Sequence, residues 1–157
     1  MRALIVSIVF LCLSTALAFA CPDYSLYGDT YELSGDQLYT ERTFTVTAGG
    51  DNSIANCRNV RPGTDRGRGY VTTRPDFTFN LSRMSGYRLV IQIISSCDTV
   101  LLVNTASVNW YYDDDDGAGA NGLITLTRPA NGWLDVWVGT YDGSYCNARL
   151  SLETFNR

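Results

Sequence analysis

The feature that most constrains the fold is a series of short apolar segments that end in acidic turns. Three of them lie between Asp98 and Asp142, at residues 99–104, 109–113 and 133–141. They are rich in Val, Leu, Trp and Tyr and are bounded by Asp, Asn or Gly, which is typical of β-strands. Beyond the N-terminal segment the chain shows no helical periodicity, so the sequence predicts an all-β fold.

Further segments alternate apolar and polar residues in the same way. They lie at residues 43–47, 76–81, 87–94, 123–127 and 148–155. Seven or eight short strands, separated by turns rich in Gly, Asn and Asp, predict a single jelly-roll-like antiparallel β-sandwich.

The least regular part of the chain is residues 58–74, which hold five arginines, three glycines and Pro62. We expect a long surface loop here. A site for acidic glycans or for a carboxylated partner is the alternative, because arginine binds carboxylates through paired hydrogen bonds.

Residues 1–20 have the composition of a secretory signal peptide. Arg2 is followed by a largely apolar stretch and then by Ala18-Phe19-Ala20, a cleavage motif. We therefore expect a secreted domain of residues 21–157, extracellular or periplasmic, whose length suits one hydrophobic core. A lipid anchor on Cys21 is an alternative.

Four cysteines remain after the predicted cleavage site, and an even number in an exported chain predicts two disulfides. Their spacing matches no zinc or redox motif. Three pairings are possible, and we favour Cys57 with Cys97 and Cys21 with Cys146, because first and last strands are often neighbours in sandwiches.

Charge and composition narrow the function. The chain has 16 acidic residues and 12 basic residues, all of them Arg, and it has no His. The net negative charge argues against nucleic acid or an anionic membrane as the partner. The lack of His removes the usual general base, no G-x-S-x-G motif occurs, and we expect no catalytic activity.

The acidic run Asp113–Asp116 predicts a metal site. If Asn104 pairs with Asn109 in a hairpin, then Asp98 faces Asp115 across the two strands. Carboxylates so close to one another repel, and Ca²⁺, which takes six to eight oxygen ligands, would relieve the repulsion. The alternative is a solvated acidic turn that protects an edge strand. We predict Asp98, Asp114 and Asp116 as ligands, with Asp113, Asp115 and Asp142 as further candidates.

The strand at 133–141 has two distinct faces. Trp133, Trp137 and Tyr141 share one face, and the other carries Leu and Val, which suit a sandwich core. We predict that the three rings bind a ligand by stacking against a sugar or peptide. Two alternatives are a second small core covered by loops and a contact between subunits.

These segments resemble the bacterial pre-peptidase C-terminal domain. Residues 98–103 are similar to its opening D-T-x-L strand, residues 112–117 to its Asp-rich turn, and residues 132–141 to its penultimate strand. The resemblance covers about residues 76–155. It implies a non-catalytic, jelly-roll-like module, some relatives of which bind calcium and some of which bind collagen or polysaccharide.

The sequence therefore predicts a secreted, non-catalytic, calcium-binding module for extracellular adhesion or for binding glycan or matrix. The alternative is a structural subunit that assembles with copies of itself into a surface layer or filament, through edge strands and exposed aromatic residues.

Overall fold

Alternating apolar residues form two β-sheets in residues 20–157, the part of the chain that the computed structural model describes. The predicted signal peptide therefore lies outside the described residues, apart from Ala20. The all-β prediction is confirmed. The strands are β1 (Asp29–Ser34), β2 (Arg42–Ala48), β3 (Asn52–Ser53), β4 (Tyr70–Val71), β5 (Phe77–Ser82), β6 (Tyr87–Ile94), β7 (Thr99–Asn104), β8 (Trp110–Asp113), β9 (Leu123–Leu126), β10 (Gly132–Thr140) and β11 (Cys146–Asn156).

One short helix, α1 (Gly35–Leu38), follows β1. It begins with a capping box, in which the Ser34 side chain accepts a hydrogen bond from the Gln37 N–H and the Gln37 side chain bonds back to the Ser34 N–H. Among residues 20–157 no helix has the length and apolar character needed to cross a bilayer.

Strand β10 is the centre of the larger sheet. One of its edges pairs with β7, which in turn pairs with β8, and its other edge pairs with β5 and then with β4. All these pairings are antiparallel, but β1 pairs with β5 in parallel. The smaller sheet has the order β2–β11–β6–β9 and is antiparallel throughout. The sandwich is thus antiparallel except along β1.

The main core lies between the two sheets. It is formed by the inward residues of both sheets, among them Phe79, Leu101 and Val136 of the larger sheet and Ile91 and Leu150 of the smaller one. The outward residues of the smaller sheet include Thr43, Thr45 and Thr47 and face solvent, as expected for an antiparallel sheet with one wet face.

The outer face of the larger sheet is covered as well. Residues 54–71 and Cys21 contribute to a second buried cluster on this face, in which Trp137, Trp110 and Leu102 are buried. For this reason all six residues of β7 are buried. The region that we expected to be a surface loop, residues 58–74, therefore has a packing role. Its Val60 and Val71 side chains are buried against the sheet, whereas its arginines stay exposed.

The disulfides join Cys21 to Cys57 and Cys97 to Cys146. The prediction that all four cysteines are bonded is confirmed, but the favoured pairing was wrong. It assumed that the first and last strands are neighbours, whereas β1 and β11 belong to different sheets. Cys97 follows β6, which pairs with β11, and this brings it to Cys146 at the start of β11.

The β7–β8 hairpin has a register different from the predicted one. Asn104 pairs with Trp110 and not with Asn109, because the Thr105 N–H donates to the Asn109 carbonyl at 3.1 Å and closes a three-residue loop, 106–108, that ends at Val108 in the left-handed region, at φ 57°. Three-residue hairpin loops commonly end in such a residue. The shift by one residue places Leu101 opposite Asp113, where β8 ends, so the predicted pairing of Asp98 with Asp115 does not form.

Candidate functional site

The acidic turn begins where β8 ends. The Asp113 carboxylate is buried, and its Oδ2 accepts hydrogen bonds from the backbone N–H groups of Asp116, at 3.1 Å, and Leu123, at 2.7 Å. The buried side chain of Asn121 holds the other side of the turn, since its Nδ2 donates to the Ala118 carbonyl at 2.7 Å and its Oδ1 accepts from Thr99 at 3.0 Å. The turn is thus fixed by two buried polar side chains.

Three carboxylates converge in this turn. One oxygen from each of Asp113, Asp115 and Asp116 lies within 4.8 Å of the others, and the last two residues are exposed. Burial raises the pKa of Asp113, against the two backbone hydrogen bonds, and the neighbouring charge of Asp116 raises it further. Ligand oxygens that share one Ca²⁺ at 2.3–2.6 Å lie at most about 5 Å apart, so the spacing fits such an ion.

The other predicted ligands lie outside this group. Asp98 and Asp114, two of our three first choices, are not part of it. Burial raises the pKa of Asp114, and the charge of Asp98 is near enough to add to the effect. Asp142 is used locally, because its Oδ1 accepts hydrogen bonds from the Ser144 N–H, at 2.9 Å, and from the Ser144 hydroxyl, at 2.7 Å.

The three predicted aromatic ligands have three different environments. Trp137 is fully buried, and its indole N–H donates to the Thr73 carbonyl at 3.3 Å, so it is not available to a ligand. Tyr141 is half-buried, with the Arg68 guanidinium 5.9 Å from its ring centre. Only Trp133 is openly exposed. For Trp137 the alternative of a second small core is the correct one.

An exposed aromatic surface nevertheless exists on the outer face of the larger sheet. It consists of Tyr24, Tyr27 and Trp133, which are 44%, 50% and 42% exposed. The Tyr27 and Trp133 rings meet edge-on with their centroids 5.3 Å apart, and the Tyr24 and Trp110 rings meet edge-on with their centroids 6.0 Å apart. Neither tyrosine was predicted from the sequence, because both precede the first strand and carry no periodic signal.

A groove of about 710 Å³ opens beside Tyr24. We call it the arginine groove, because Arg61 is the charged residue among those that line it; the others include Tyr24, Asn59, Asn109, Trp110 and Tyr111. The Nε of Arg61 donates to the Arg58 carbonyl at 2.9 Å, which directs the guanidinium. This groove lies within the arginine-rich segment for which the sequence allowed an anionic ligand.

Two further carboxylates, the half-buried Asp76 and the buried Asp135, have raised pKa values and were not predicted from the sequence. Burial raises the pKa of Asp76 to about 7, and burial raises the pKa of Asp135 to about 6. Asp135 accepts a 2.7 Å hydrogen bond from the Thr78 hydroxyl and lies opposite Asn104 on the next strand. The Asn104 Nδ2 is buried and has no hydrogen-bond partner among residues 20–157.

Comparison with known proteins gives little. No family model matches the chain, and no curated protein matches it. PliG of Aeromonas hydrophila, a periplasmic lysozyme inhibitor of g-type lysozyme, is similar in structure with a TM-score of 0.47 and 11% identity, over 82% of this chain and 98% of that chain. PliG of Salmonella Typhimurium, also an inhibitor of g-type lysozyme, has a TM-score of 0.43 and 12% identity, over 82% and 99%. At these values the likeness carries no inference about function.

Proposed function

We propose that this chain is an exported, non-catalytic binding module that attaches to extracellular glycan or matrix. The observation that carries the proposal is the aromatic surface of Tyr24, Tyr27 and Trp133. The Tyr27 and Trp133 rings contact each other, and with Tyr24 on the same face they present apolar area with polar groups at its rim, which suits the faces of sugar rings. The two disulfides fit a location outside the reducing cytosol, secreted or periplasmic.

The chemistry of the chain favours binding over catalysis. The sequence contains neither His nor Lys, and the four cysteines of residues 20–157 are all in disulfides. Nucleophilic catalysis needs an activated Ser, Cys or Thr beside a base. Asp76 and Asp135, the two carboxylates with strongly raised pKa values, accept hydrogen bonds from neighbouring strands, and these bonds account for their placement.

Calcium is part of the proposal. Asp113, Asp115 and Asp116 would hold the ion, and water or backbone carbonyls would supply the remaining oxygens. Bound there, Ca²⁺ would neutralise the repulsion between the three carboxylates and stiffen the turn after β8. The spacing of the three oxygens within 4.8 Å supports this role.

A glycan array, run with calcium and with a chelator, tests the function. We expect defined polysaccharides to bind the wild-type protein, and Trp133→Ala and Tyr27→Ala to weaken that binding about twofold to tenfold each, since aromatic ring contacts contribute about 0.5–1.5 kcal/mol. Tyr145→Ala is the matched control, because Tyr145 is a 59% exposed ring outside the aromatic surface. Binding that survives both surface variants, or that Tyr145→Ala weakens equally, would contradict the proposal.

The predicted alternative, a subunit that assembles with copies of itself, is tested in the same samples. Negative-stain images of the secreted protein would then show ordered polymers, with no ligand-specific signal on the array. Strand β2 is one of the sheet edges open to such assembly, since among the described strands it pairs only with β11.

A further inference from the structure

The arginine groove is lined by an aromatic ring, Tyr24, and by a cationic side chain, Arg61, that has no carboxylate partner within residues 20–157. Arg61 lines the groove, and within residues 20–157 no carboxylate lies at salt-bridge distance from it; the recorded ion pair is Arg83 with Asp36. An exposed guanidinium that is unpaired in the free protein remains available to an anionic ligand.

Hydrogen bonds to backbone carbonyls fix the direction of three of the five arginines in residues 58–74. The Nε of Arg61 donates to the Arg58 carbonyl, that of Arg66 to the Pro62 carbonyl at 3.3 Å, and that of Arg74 to the Tyr27 carbonyl. In each case the Nη groups make no recorded hydrogen bond within the described chain. Ordering these side chains before binding lowers the entropy cost of binding.

The groove itself carries positive charge, since Arg61 is the charged residue among those that line it, and two of its other lining residues, Thr64 and Tyr111, also border the acidic turn. Residues 58–74 contain five arginines and a single acidic residue, Asp65, although the chain as a whole has a net charge of −4. An exposed arginine in a segment of net positive charge favours an anionic group at this position.

We propose that the arginine groove binds an acidic polysaccharide, with Arg61 hydrogen-bonded to a uronic acid carboxylate and the Tyr24 ring packed against the sugar. This inference rests on the proposed glycan-binding function and names its ligand class. Tyr24 belongs both to the aromatic surface and to the groove, so one extended chain can contact both. A neutral glycan would leave the Arg61 guanidinium without a partner of opposite charge.

Matched ligands test the proposal in solution. The full exported protein is titrated with polygalacturonate, alginate and hyaluronate, and with the carboxyl-reduced form of each. We expect an acidic form to bind at least about tenfold more tightly than its reduced form, because hydrogen bonds between charged partners are stronger than neutral ones. We also expect the difference to shrink as salt is added.

Variants assign the effect to the groove. Arg61→Gln removes the charge and is expected to bring the acidic form down to the affinity of the reduced form, and Arg61→Lys to give an intermediate affinity because it loses the planar fork. Arg149→Gln removes an exposed arginine from the outer face of the smaller sheet and is the control, with affinity unchanged. Unaltered circular dichroism and melting would show that each variant is folded.

The outcomes separate the two proposals. Equal binding of acidic and reduced glycans, or equal effects of Arg61→Gln and Arg149→Gln, would overturn the proposal that the arginine groove binds an acidic polysaccharide. The glycan-binding function would remain. Absence of binding to every glycan on the array and in solution would overturn both. Tighter binding of poly-glutamate than of any acidic polysaccharide would overturn the glycan ligand in favour of an acidic protein.

Discussion

The Asp76 carboxylate takes the place of a missing strand beside Val138. Its Oδ2 accepts a 2.7 Å hydrogen bond from the Val138 N–H, while the Val138 carbonyl accepts one from Gly49 at 3.0 Å. The β5 pairing stops at Val136, and β4 pairs only at Thr140, so the edge of β10 has a gap between them. A side chain fills the gap, and the buried N–H is satisfied.

The stability of the fold is expected to fall as the pH rises through the titration of Asp76. Burial raises the pKa of this carboxyl from 3.8 to about 7, and the charge of Asp29 adds to the shift. Between these two pH values the folded state binds more protons than the unfolded state. The stabilising contribution of Asp76 is therefore complete below about pH 4 and is lost as the pH rises towards 7. Asp135, whose pKa is raised to about 6, acts in the same direction.

Asp76→Asn isolates this contribution. The amide oxygen can still accept from Val138 and carries no charge, so the variant is expected to be more stable than the wild type at about pH 7.5, by at most on the order of 4 kcal/mol, and not at about pH 4. Urea unfolding at both pH values measures the difference. Asp142→Asn is the control: hydrogen bonds from Ser144 lower the pKa of Asp142, so its loss cannot stabilise the protein at high pH.

The two tryptophans of β10 are expected to differ strongly in their effect on stability. Trp137 is fully buried in the second cluster, so Trp137→Ala should cost about 3–5 kcal/mol of unfolding free energy. Trp133 is 42% exposed, and Trp133→Ala should cost less than about 1 kcal/mol while weakening ligand binding. Equal costs in urea unfolding would mean that the outer face is not covered as described.

The sequence predicted the strands with the strongest apolar patterns and missed those without one. The predicted ranges 87–94 and 99–104 match β6 and β7 residue for residue, because their apolar residues are buried on at least one full face. Strand β1 was missed because four of its six residues are exposed. It lies at a sheet edge, held by parallel pairing to β5, and that partner lies far along the chain.

The candidate site was predictable in residue type but not in arrangement. Alternation along 133–141 placed Trp133 and Trp137 on one face, but whether that face is wet depends on residues 54–71, whose own sequence shows no pattern. Likewise, the Asp run indicated crowded carboxylates, but which of them converge depends on the turn after β8, where the Asp113 carboxylate accepts hydrogen bonds from Asp116 and Leu123. Long-range packing and single turn conformations are not encoded in local periodicity.

Val108 is expected to be a stabilising position. Its φ of 57° lies in the left-handed region, which a β-branched residue adopts at a cost of roughly 1–2 kcal/mol and which Asn tolerates better. Val108→Asn should therefore raise the unfolding free energy by about 1 kcal/mol, measured in urea. Ala106→Asn in the same loop is the control, since Ala106 has no positive φ; an equal gain there would rule out the conformational explanation.

The two disulfides are expected to contribute similar stability but to protect different parts of the chain. They close separations of 36 and 49 residues, and chain-entropy estimates give about 4 kcal/mol for each. Replacing Cys21 and Cys57 with Ser should release the N-terminal segment and expose residues 21–28 to protease, with loss of glycan binding. Replacing Cys97 and Cys146 should leave that segment protected, and the reverse pattern would contradict the assigned packing.

Calcium is expected to raise the melting midpoint through Asp115 and Asp116. At a free concentration of about 100 times its dissociation constant, an ion that binds only the folded state adds about 2.7 kcal/mol, which is a shift of several degrees for a domain of this size.

The variant Asp115→Asn with Asp116→Asn should abolish the shift. It should also be more stable than the wild type in chelator, because the repulsion between the carboxylates is gone. Asp113 is kept in this variant, since its carboxylate also accepts the backbone hydrogen bonds that hold the turn. Asp142→Asn should retain the full shift, and a wild-type midpoint that is equal in calcium and in chelator would identify the run as a solvated acidic turn.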